Sequence, residues 1–249
     1  MTPSNPSNPS AKFPDVSLSV IIPAYNEGEN IERNIPKAME SLRRMVGTFE
    51  LILVDDCSQD RTGVVADELA TRFPELVVVH NEQNLRQGGS LAKGFMLAKH
   101  DWVIHNAMDY PFDFEDLPLL LAHVPDADIV VASRKTYPGI TAPRRFVSFA
   151  NRAILWSLFG ATVKDYNFVQ LYRRTLLQSM RTISQATSFI TPEKIIRAHS
   201  RGLRVVEVEV EYHRRETGTP SSANVKNIRR ALADMARLWI ELRRSEGAP

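Results

Sequence analysis

Short apolar runs alternate with longer amphipathic segments through the first half of the chain. The apolar runs, rich in Val, Ile and Leu, are typical of buried strands. The predicted strands of this half cover residues 18–22, 50–54, 76–80, 102–105 and 129–131. The segments between them repeat apolar residues every three or four positions, and the predicted helices cover residues 30–46, 61–73 and 91–99. Strands without polar alternation, joined by helices, predict an α/β fold with a mostly parallel sheet that has helices on both faces.

The second half of the chain is less regular. Its predicted helices cover residues 144–159, 192–199 and 225–244, and its predicted strands residues 169–172 and 203–212. The second of these strands alternates Val with Glu, so one of its faces should meet solvent. The first fifteen residues are rich in Pro, Ser and Asn and lack an apolar core, which is typical of a disordered tail. The predicted organisation is a tail over 1–15, one α/β domain over 16–212, and a mobile basic loop with an amphipathic helix over 213–249.

Composition excludes several classes of protein. With 249 residues, 43% of them hydrophobic and 24% charged, the chain can bury a substantial core. A net charge of +2 gives no reason to expect nucleic acid as a partner. The single cysteine, Cys57, excludes an internal disulfide and a cysteine-cluster metal site and fits a reducing, cytoplasmic location. No run of 18 apolar residues predicts a membrane span.

Unusual polar residues follow four of the predicted strands, at residues 23–27, 55–60, 87–90 and 106–109. The carboxyl ends of parallel strands share one edge of a sheet, and ligands bind beyond that edge. In the first loop Pro23 fixes the direction in which the chain leaves the strand, and the following Asn and Glu offer hydrogen bonds to a base or a ribose. The same residue types also suit a turn and the start of a helix.

Two adjacent acids, Asp55 and Asp56, end the second strand. Like charges repel, so this pair needs a compensating partner. A nucleobase edge, a ribose diol or a cation would supply one, and helix capping by Ser58 or Asp60 is the structural alternative. In the third loop a Gly-Gly pair would let a ligand come close to the backbone, because glycine has no Cβ.

The segment SVIIPAYNEGENI, followed by LILVDDCSQDRT, resembles the family 2 glycosyltransferases. The resemblance extends over residues 18–212 and is strongest to the dolichyl- and polyprenyl-phosphate sugar synthases. It implies the GT-A fold, with a Rossmann-like half that binds a nucleoside-diphosphate sugar. The implied donor contacts are Pro23, Ala24, Tyr25, Glu27, Asp55, Asp56, Gln87 and Gly88.

The family carries an Asp-X-Asp motif whose carboxylates position a divalent cation, Mg²⁺ or Mn²⁺, on the diphosphate. When the chain is aligned on the FEDL segment at residues 114–117, Asp109 matches the second acid and Ala107 replaces the first. The resemblance therefore implies a metal held by Asp109 alone among the motif acids. Mg²⁺ often binds through one or two carboxylates together with substrate phosphates, but the loss of one acid predicts weaker metal binding.

Four further residues acquire catalytic roles from the resemblance. Arg134 lies in a segment, ASRK, that is similar to the family's Gly-Ser-Arg, which implies a contact with acceptor phosphate or donor diphosphate; a structural salt bridge is the alternative. Asp165 lies in an element that would face the sugar. Arg214 and Arg215 match a mobile loop whose arginines would neutralise the departing diphosphate.

The predicted helix over residues 144–159 has no acids, several arginines and many large apolar side chains. Such a helix can lie in a membrane interface or be part of the core, and the terminal helix over 225–244 presents the same choice. The two helices together predict peripheral association with a membrane surface, with a membrane-anchoring subunit or a homodimer as a further partner.

The predicted reaction is inverting transfer of a sugar from a nucleoside-diphosphate donor to a polyprenyl or dolichyl phosphate. The acceptor oxygen would already be anionic and would need no strong general base. A hydroxyl acceptor in glycan or natural-product synthesis would need one, and Asp165 and Glu193 are the candidates. Because of Ala107, a nucleotide-sugar-binding pseudoenzyme is a third possibility. A sugar nucleotidyltransferase should show a glycine-rich basic loop after the first strand, and PAYN at residues 23–26 is not such a loop.

Overall fold

A computed structural model describes residues 8–108, 112–135, 142–160, 163–184, 188–211 and 225–246. Within these residues the chain forms one sheet of seven strands. The strands are β1 (Phe13–Ala24), β2 (Val46–Asp55), β3 (Leu76–His80), β4 (Trp102–His105), β5 (Ile129–Arg134), β6 (Val169–Arg173) and β7 (Val205–Val210).

The strand order is β3-β2-β1-β4-β6-β5-β7. All neighbouring pairs are parallel except those of β6, which runs antiparallel to both β4 and β5. The carboxyl ends of the six parallel strands therefore lie at one edge of the sheet, and β6 begins at that same edge. We call this the ligand edge.

The helices of the described chain lie mainly between these strands. They are α1 (Gly28–Met45), α2 (Thr62–Arg72), α3 (Arg86–Leu97), α4 (Leu117–Leu121), α5 (Ala142–Phe159), α6 (Arg174–Ser179), α7 (Ile190–Ser200) and α8 (Val225–Glu246), with a 3₁₀ turn at Phe114–Asp116 before α4.

Alternation along the buried strands divides the apolar side chains between two cores. In β1, Val20 and Ile22 belong to the core that also holds residues of α1, α2 and α4, whereas Ile21 belongs to the core shared with α3, α7 and α8. Helix α3 approaches β1 closely at Gly94, where an added Cβ would lie 2.2 Å from Cγ2 of Ile21. A larger residue at this position would push α3, and the loop before it, away from the sheet.

The mostly parallel α/β sheet confirms the predicted fold class, but several boundaries differ from the expectation. β1 begins at Phe13, so residues 13–15 belong to the sheet and the boundary of the predicted tail at residue 15 is wrong. The polar composition of this segment hides the fact that Phe13 and Val16 pack against the core. The short helix α6 was not predicted, because a segment of six residues is too short for apolar periodicity to reveal it.

Both helices considered for membrane contact bury some apolar side chains and expose others. Helix α8 buries Leu238 against the core, whereas its Leu232 is 49% exposed. In α5, Leu155 is fully buried, whereas Phe149 and Trp156 are each 61% exposed. Among the described residues, no helix is both long enough and apolar enough to cross a bilayer.

Candidate active site

The loops after β1 and β2 are joined by hydrogen bonds at the ligand edge. Asn26 connects them in both directions: its amide N–H donates to Oγ of Ser58 (3.0 Å), and its Oδ1 accepts from the amide of Gln59 (2.8 Å). The amide of Glu27 donates to Oγ1 of Thr62 at 2.8 Å. These hydrogen bonds join the two loops into a single unit.

Asp60 lies between the beginnings of two helices. Its Oδ1 accepts from the amide of Thr62 at 2.9 Å, in the first turn of α2, and its Oδ2 accepts from the amide of Gly28 at 3.3 Å, in the first turn of α1. Burial opposes the ionisation of Asp60, but the hydrogen bonds from Thr62 and Gly28 outweigh it, so the pKa of Asp60 is lowered. The helix-capping alternative for Asp60 is what the structure shows.

Backbone strain concentrates in the same loops. Among the described residues, the non-glycine residues with positive φ are Asn26 (55°), Cys57 (61°) and Arg86 (62°). Asn tolerates this left-handed region, but for Cys and Arg it is uncommon and costs about 1–3 kcal/mol. All three lie at the ligand edge, in the loops or at the start of α3. Strained backbone of this kind clusters at binding sites.

Asp55 is 5% exposed, and both of its oxygens have partners. Oδ1 accepts from the amide of Ser58 at 3.1 Å, and Oδ2 lies 2.9 Å from Nδ1 of His80, the last residue of β3. The expected compensation for the charge of Asp55 is therefore provided, at least in part, by the protein itself.

Asp56 is 2% exposed and connects three segments of the ligand edge. Its Oδ1 accepts from Nδ2 of Asn81 (2.9 Å) and from the amide of Leu85 (2.7 Å). Asn81 also donates to Oγ of Ser90 (3.0 Å) and accepts from Nζ of Lys93 (2.7 Å), so the network reaches α3. No hydrogen bond to Oδ2 of Asp56 is formed by the residues that the structure describes.

The predicted glycine loop is the first turn of α3. Gln87 is exposed and Gly88 is buried. Because α3 begins at the ligand edge, its free backbone N–H groups and the positive end of its dipole are available for an anion there.

The residues of the first loop divide by exposure. Tyr25 is 47% exposed. Ala24 is buried, and its carbonyl accepts a hydrogen bond from the amide of Asp56 at 2.8 Å. Pro23 and Glu27 are half-buried, and the carboxylate of Glu27 accepts a hydrogen bond from Nδ2 of Asn30. Ala24 is the register partner of Asp55, so Tyr25 begins its loop at the same edge as the two acids, and its exposed ring offers a flat surface to a planar ligand group.

A second polar cluster lies farther along the same edge. Arg134, the last residue of β5, makes a two-pronged contact with Asp165: Nε to Oδ2 is 2.7 Å and Nη2 to Oδ1 is 3.1 Å. The guanidinium also lies over the ring of Phe168, 4.9 Å from its centroid. Phe168 contacts Phe112, with ring centroids 6.3 Å apart, and so links the cluster to the loop after β4.

The end of β4 carries a buried histidine. Nε2 of His105 donates to Oε1 of Gln170 at 2.6 Å; the oxygen of Gln170 faces the ring because its Nε2 donates to the carbonyl of Tyr166. Burial lowers the pKa of His105 to about 4, against a small opposing effect of the Gln170 bond. His105 is therefore neutral at neutral pH and fixes β4 to β6 at the ligand edge.

The chain beyond His105 is fixed on both sides of residues 109–111. The amide of Asn106 donates to the carbonyl of Ile21 (3.0 Å), and its Nδ2 donates to the carbonyl of Phe112 (2.8 Å). Nδ2 of Asn34 donates to the carbonyl of Met108 at 2.9 Å. Asp109 itself lies outside the described residues, as do Arg214 and Arg215.

The profile of glycosyl transferase family 2 matches residues 19–187, which include the first two loops, the end of β4 and the Arg134–Asp165 cluster. The chain belongs to glycosyl transferase family 2. Undecaprenyl-phosphate 4-deoxy-4-formamido-L-arabinose transferase of Proteus mirabilis is 28% identical over 213 residues, which make up 85% of this chain and 64% of that protein. This family 2 chain thus spans less than two thirds of the length of that curated relative.

Solved structures agree on the fold. Glucosyl-3-phosphoglycerate synthase from Mycobacterium tuberculosis, in complex with Mn²⁺, uridine diphosphate and phosphoglyceric acid, has a TM-score of 0.70 at 19% identity, over 100% of this chain and 88% of that one. Mannosyl-3-phosphoglycerate synthase from Rubrobacter xylanophilus has a TM-score of 0.67 at 16% identity, over 94% of this chain and 75% of that one. The family 2 chain therefore has the GT-A fold that the sequence predicted.

The structure brings the predicted donor residues of this family 2 chain to one edge, but their roles stay predictions. The loops that carry Pro23, Tyr25, Asp55, Asp56 and Gly88 all end at the ligand edge. Arg134 and Asp165 lie at the same edge and are paired with each other, which is the salt-bridge alternative for Arg134.

Glu193, a candidate base for a hydroxyl acceptor, is fully buried in α7. Its carboxylate accepts from the amides of Ile183 and Ser184 at 2.9–3.2 Å and from Nε of Arg197 at 2.8 Å. These contacts hold the turn before α7, and burial leaves the carboxylate no route to a substrate. The structure therefore assigns Glu193 a structural role.

Sequence reasoning missed His80 and Asn81, whose side chains hold the two acids. Both follow β3 directly, so the rule that ligands bind beyond the carboxyl ends of parallel strands should have included them. They line a cavity of about 270 Å³ together with Glu82, Gln83, Leu85 and Lys93.

Proposed function

We propose that this family 2 protein transfers a sugar, with inversion, from a nucleoside-diphosphate sugar to a polyprenyl phosphate or another lipid-linked acceptor. The observation that carries the proposal is the arrangement of Asp55 and Asp56, two buried carboxylates fixed by backbone amides at the same sheet edge as Tyr25 and the first turn of α3. Such a site offers acceptors to a base or ribose and N–H donors to a diphosphate.

The relatives support the choice of substrates. The Proteus mirabilis protein is named for undecaprenyl phosphate, and the Mycobacterium tuberculosis structure holds uridine diphosphate. In the proposed reaction an oxygen of the acceptor phosphate forms a bond to the anomeric carbon. The bond from that carbon to the donor diphosphate breaks, and the nucleoside diphosphate leaves with the electron pair. The acceptor oxygen is already anionic, so no general base is needed.

Arg134 is the residue we assign to the acceptor side. Its guanidinium is already shaped for a two-pronged contact, and a phosphate can replace Asp165 as its partner. Arg214 and Arg215, which follow β7, would neutralise the departing diphosphate.

A divalent cation, Mg²⁺ or Mn²⁺, would be held by Asp109 together with the donor phosphates and would neutralise developing negative charge on the leaving group. Asn106 and Met108, which precede Asp109, are hydrogen-bonded to β1 and α1, so the segment that leads to Asp109 is attached to the sheet and to its neighbouring helix. No cluster of three or more His, Cys, Asp or Glu side chains able to hold a metal occurs in the described part of the chain.

We further propose that α5 contacts an anionic membrane surface. Its exposed side chains include Phe149, Ile154, Trp156 and Leu158, and the helix has no acids but three arginines. An amphipathic helix with aromatic and basic residues binds at the boundary between headgroups and acyl chains. The surface would bring the lipid-linked acceptor to the ligand edge.

A thermal-shift screen of nucleotide sugars, followed by a transfer assay, tests the function. A donor present at about 100 times its Kd should stabilise the fold by about 2.7 kcal/mol. The stabilising donor, undecaprenyl phosphate and Mg²⁺ or Mn²⁺ should then yield a sugar-phosphate product of inverted configuration. If no uridine or guanosine donor stabilises the protein, the proposal is wrong. Binding without transfer to any acceptor favours a pseudoenzyme, and transfer only to hydroxyl acceptors favours Asp165 as a base.

A further inference from the structure

The ring of His80 lies between two carboxylates. Its Nδ1 is 2.9 Å from Oδ2 of Asp55, and its Nε2 is 3.1 Å from Oδ1 of Asp67 in α2. An ionised carboxylate only accepts hydrogen bonds. Both contacts are hydrogen bonds only when both ring nitrogens carry a proton, so the geometry is that of an imidazolium ion.

The histidine connects the surface to a buried acid of the donor site. The side chain of Asp55 is 8% exposed, that of His80 is 46% exposed and that of Asp67 is 64% exposed. Oδ1 of Asp55 is already bonded to the amide of Ser58 in the strained loop after β2. The orientation of the Asp55 carboxylate is therefore set from one side by this loop and from the other by His80.

Helix α2 closes over this contact at Gly63. A Cβ built on Gly63 would lie 3.2 Å from Oδ2 of Asp55 and 3.3 Å from Cε1 of His80. These distances are shorter than ordinary van der Waals contacts, so any larger residue would displace the ring or the carboxylate. The absence of a side chain at this position allows the contact to form.

The other charged groups around the ring come from α3 and from the loop after β3. Nζ of Lys93 donates to the carbonyl of His80 at 3.4 Å and to Asn81, and Glu82 lines the same cavity. The bond to Asp55 raises the pKa of His80 above its ordinary value of 6.5; burial opposes this, and the bond to Asp67 adds to it. The positive charge thus persists to a higher pH than in an isolated histidine.

We propose that His80, as an imidazolium, is a positioning residue for the donor site: it fixes the carboxylate of Asp55 and offsets its charge where an anionic nucleotide sugar binds. The inference rests on the proposed function. Below the raised pKa both hydrogen bonds are present. As the pH rises through that pKa, the ring loses its proton and its positive charge. A ring lone pair then faces a carboxylate, and the net charge of the site becomes more negative by one unit. Donor affinity should therefore fall as the pH rises above about 6.5.

The first experiment is calorimetric titration of the full chain with UDP-glucose between pH 6 and pH 8. In that range the diphosphate of this probe is fully ionised and its uracil N3–H keeps its proton, so a change in affinity reports on the protein. We expect the affinity of the unaltered protein to fall about 5- to 10-fold. Asp67→Asn removes a carboxylate that does not belong to the donor site and should move the fall to lower pH. His80→Gln should bind weakly without this pH dependence.

Asp126→Asn is the matched control, because the side chain of Asp126 is 69% exposed and pairs with Arg204, away from the donor site. It should leave the pH profile unchanged. A profile that is the same in the unaltered protein, Asp67→Asn and His80→Gln would overturn the inference.

The second experiment needs no donor. Nitrogen-15 NMR should show both ring nitrogens of His80 protonated at pH 6 and a titration midpoint above the ordinary pKa of 6.5. The amide of Ser58, which is bonded to Asp55, should titrate together with the ring. In Asp67→Asn both titrations should move to lower pH. A ring that titrates at or below its ordinary pKa of 6.5, or a Ser58 amide that does not follow the ring, would overturn the inference even if UDP-glucose does not bind. Failure of UDP-glucose to bind, with both NMR results as expected, would count against the proposed uridine donor and leave the role of His80 intact.

Discussion

The two halves of the ligand edge are built in different ways. At the ends of β1, β2 and β3, the carboxylates of Asp55 and Asp56 are bonded to backbone amides and to side chains of neighbouring segments. At the end of β5, Arg134 and Asp165 bond each other, and the nearby α5 exposes Phe149 and Trp156. We call these the donor side and the acceptor side.

The difference indicates two kinds of ligand. Groups held by backbone amides cannot move without breaking several hydrogen bonds, so the donor side is preorganised for one constant ligand. On the acceptor side the amide of Asn167 holds Asp165, but the long Arg134 side chain can turn away from it without moving the backbone, and an exposed apolar helix can adapt to a surface. The acceptor side is therefore suited to a ligand that arrives with its own environment, as a lipid-linked phosphate does.

The largest expected effect is that of Asp56→Ala on donor binding. The substitution leaves the amide of Leu85 without an acceptor, at about 1–3 kcal/mol, and Nδ2 of Asn81 with only Oγ of Ser90. It also removes a carboxylate from the donor side. We expect the Kd for the stabilising nucleotide sugar, measured by calorimetry, to rise about 100-fold. Asp101→Ala removes an acid at the opposite edge, where it accepts from Ser17, and should leave the Kd unchanged. A change of less than threefold in Asp56→Ala would remove Asp56 from the donor site.

Arg134→Lys should separate the two sides. Lysine keeps the charge but not the two-pronged contact, so we expect kcat for transfer to a lipid phosphate to fall about 10- to 50-fold while the donor Kd stays within twofold. Arg173→Lys is the control, because Arg173 lies at the other end of β6 and pairs with Asp128. If donor affinity fell in parallel with kcat, Arg134 would belong to the donor side and the proposed division would be wrong.

Trp156→Glu tests the membrane contact of α5. An acid in place of an exposed aromatic ring should weaken sedimentation with phosphatidylglycerol-containing vesicles about 5- to 10-fold, with no change in donor Kd. Leu119→Glu places an acid at an exposed apolar position of α4, where Leu119 is 45% exposed. Equal vesicle binding by the two variants would show that α5 does not face the membrane.

Glu193→Gln should have the smallest effect on catalysis. Glu193 belongs to neither side, so kcat should stay within about twofold. Thermal unfolding should nevertheless occur at a lower temperature, because the buried Arg197 loses one of its two carboxylates and keeps only Glu241. A large loss of kcat together with an unchanged melting temperature would restore Glu193 as the base.

The donor side could be predicted from the sequence, whereas its internal contacts could not. Pro23 and the Asp55–Asp56 pair follow strands with clear apolar patterns, so their meeting at one edge follows from the parallel sheet alone. His80 and Asn81 are 25 residues from the acids that they hold. Nothing local identifies such partners, because contacts between strand ends depend on strand order.

The acceptor side was less predictable. The pairing of Arg134 with Asp165 spans 31 residues and depends on β6 running antiparallel between β4 and β5. The pattern of β6 does not reveal its direction, since a strand buried on both faces has the same composition in either direction. The sequence also left undecided which side chains of α5 are exposed, because a helix rich in apolar residues can be a core helix or a surface helix.

The sequence by itself determined the α/β class, the family and the loops that reach the ligand edge, since these follow from the period of apolar residues and from short motifs. Tertiary structure alone decided which carboxylates are held by the protein, that Glu193 is buried and that α5 exposes Phe149 and Trp156. The physical reason is that periodicity is a property of neighbouring residues, whereas burial and hydrogen bonding are fixed only when distant segments pack together.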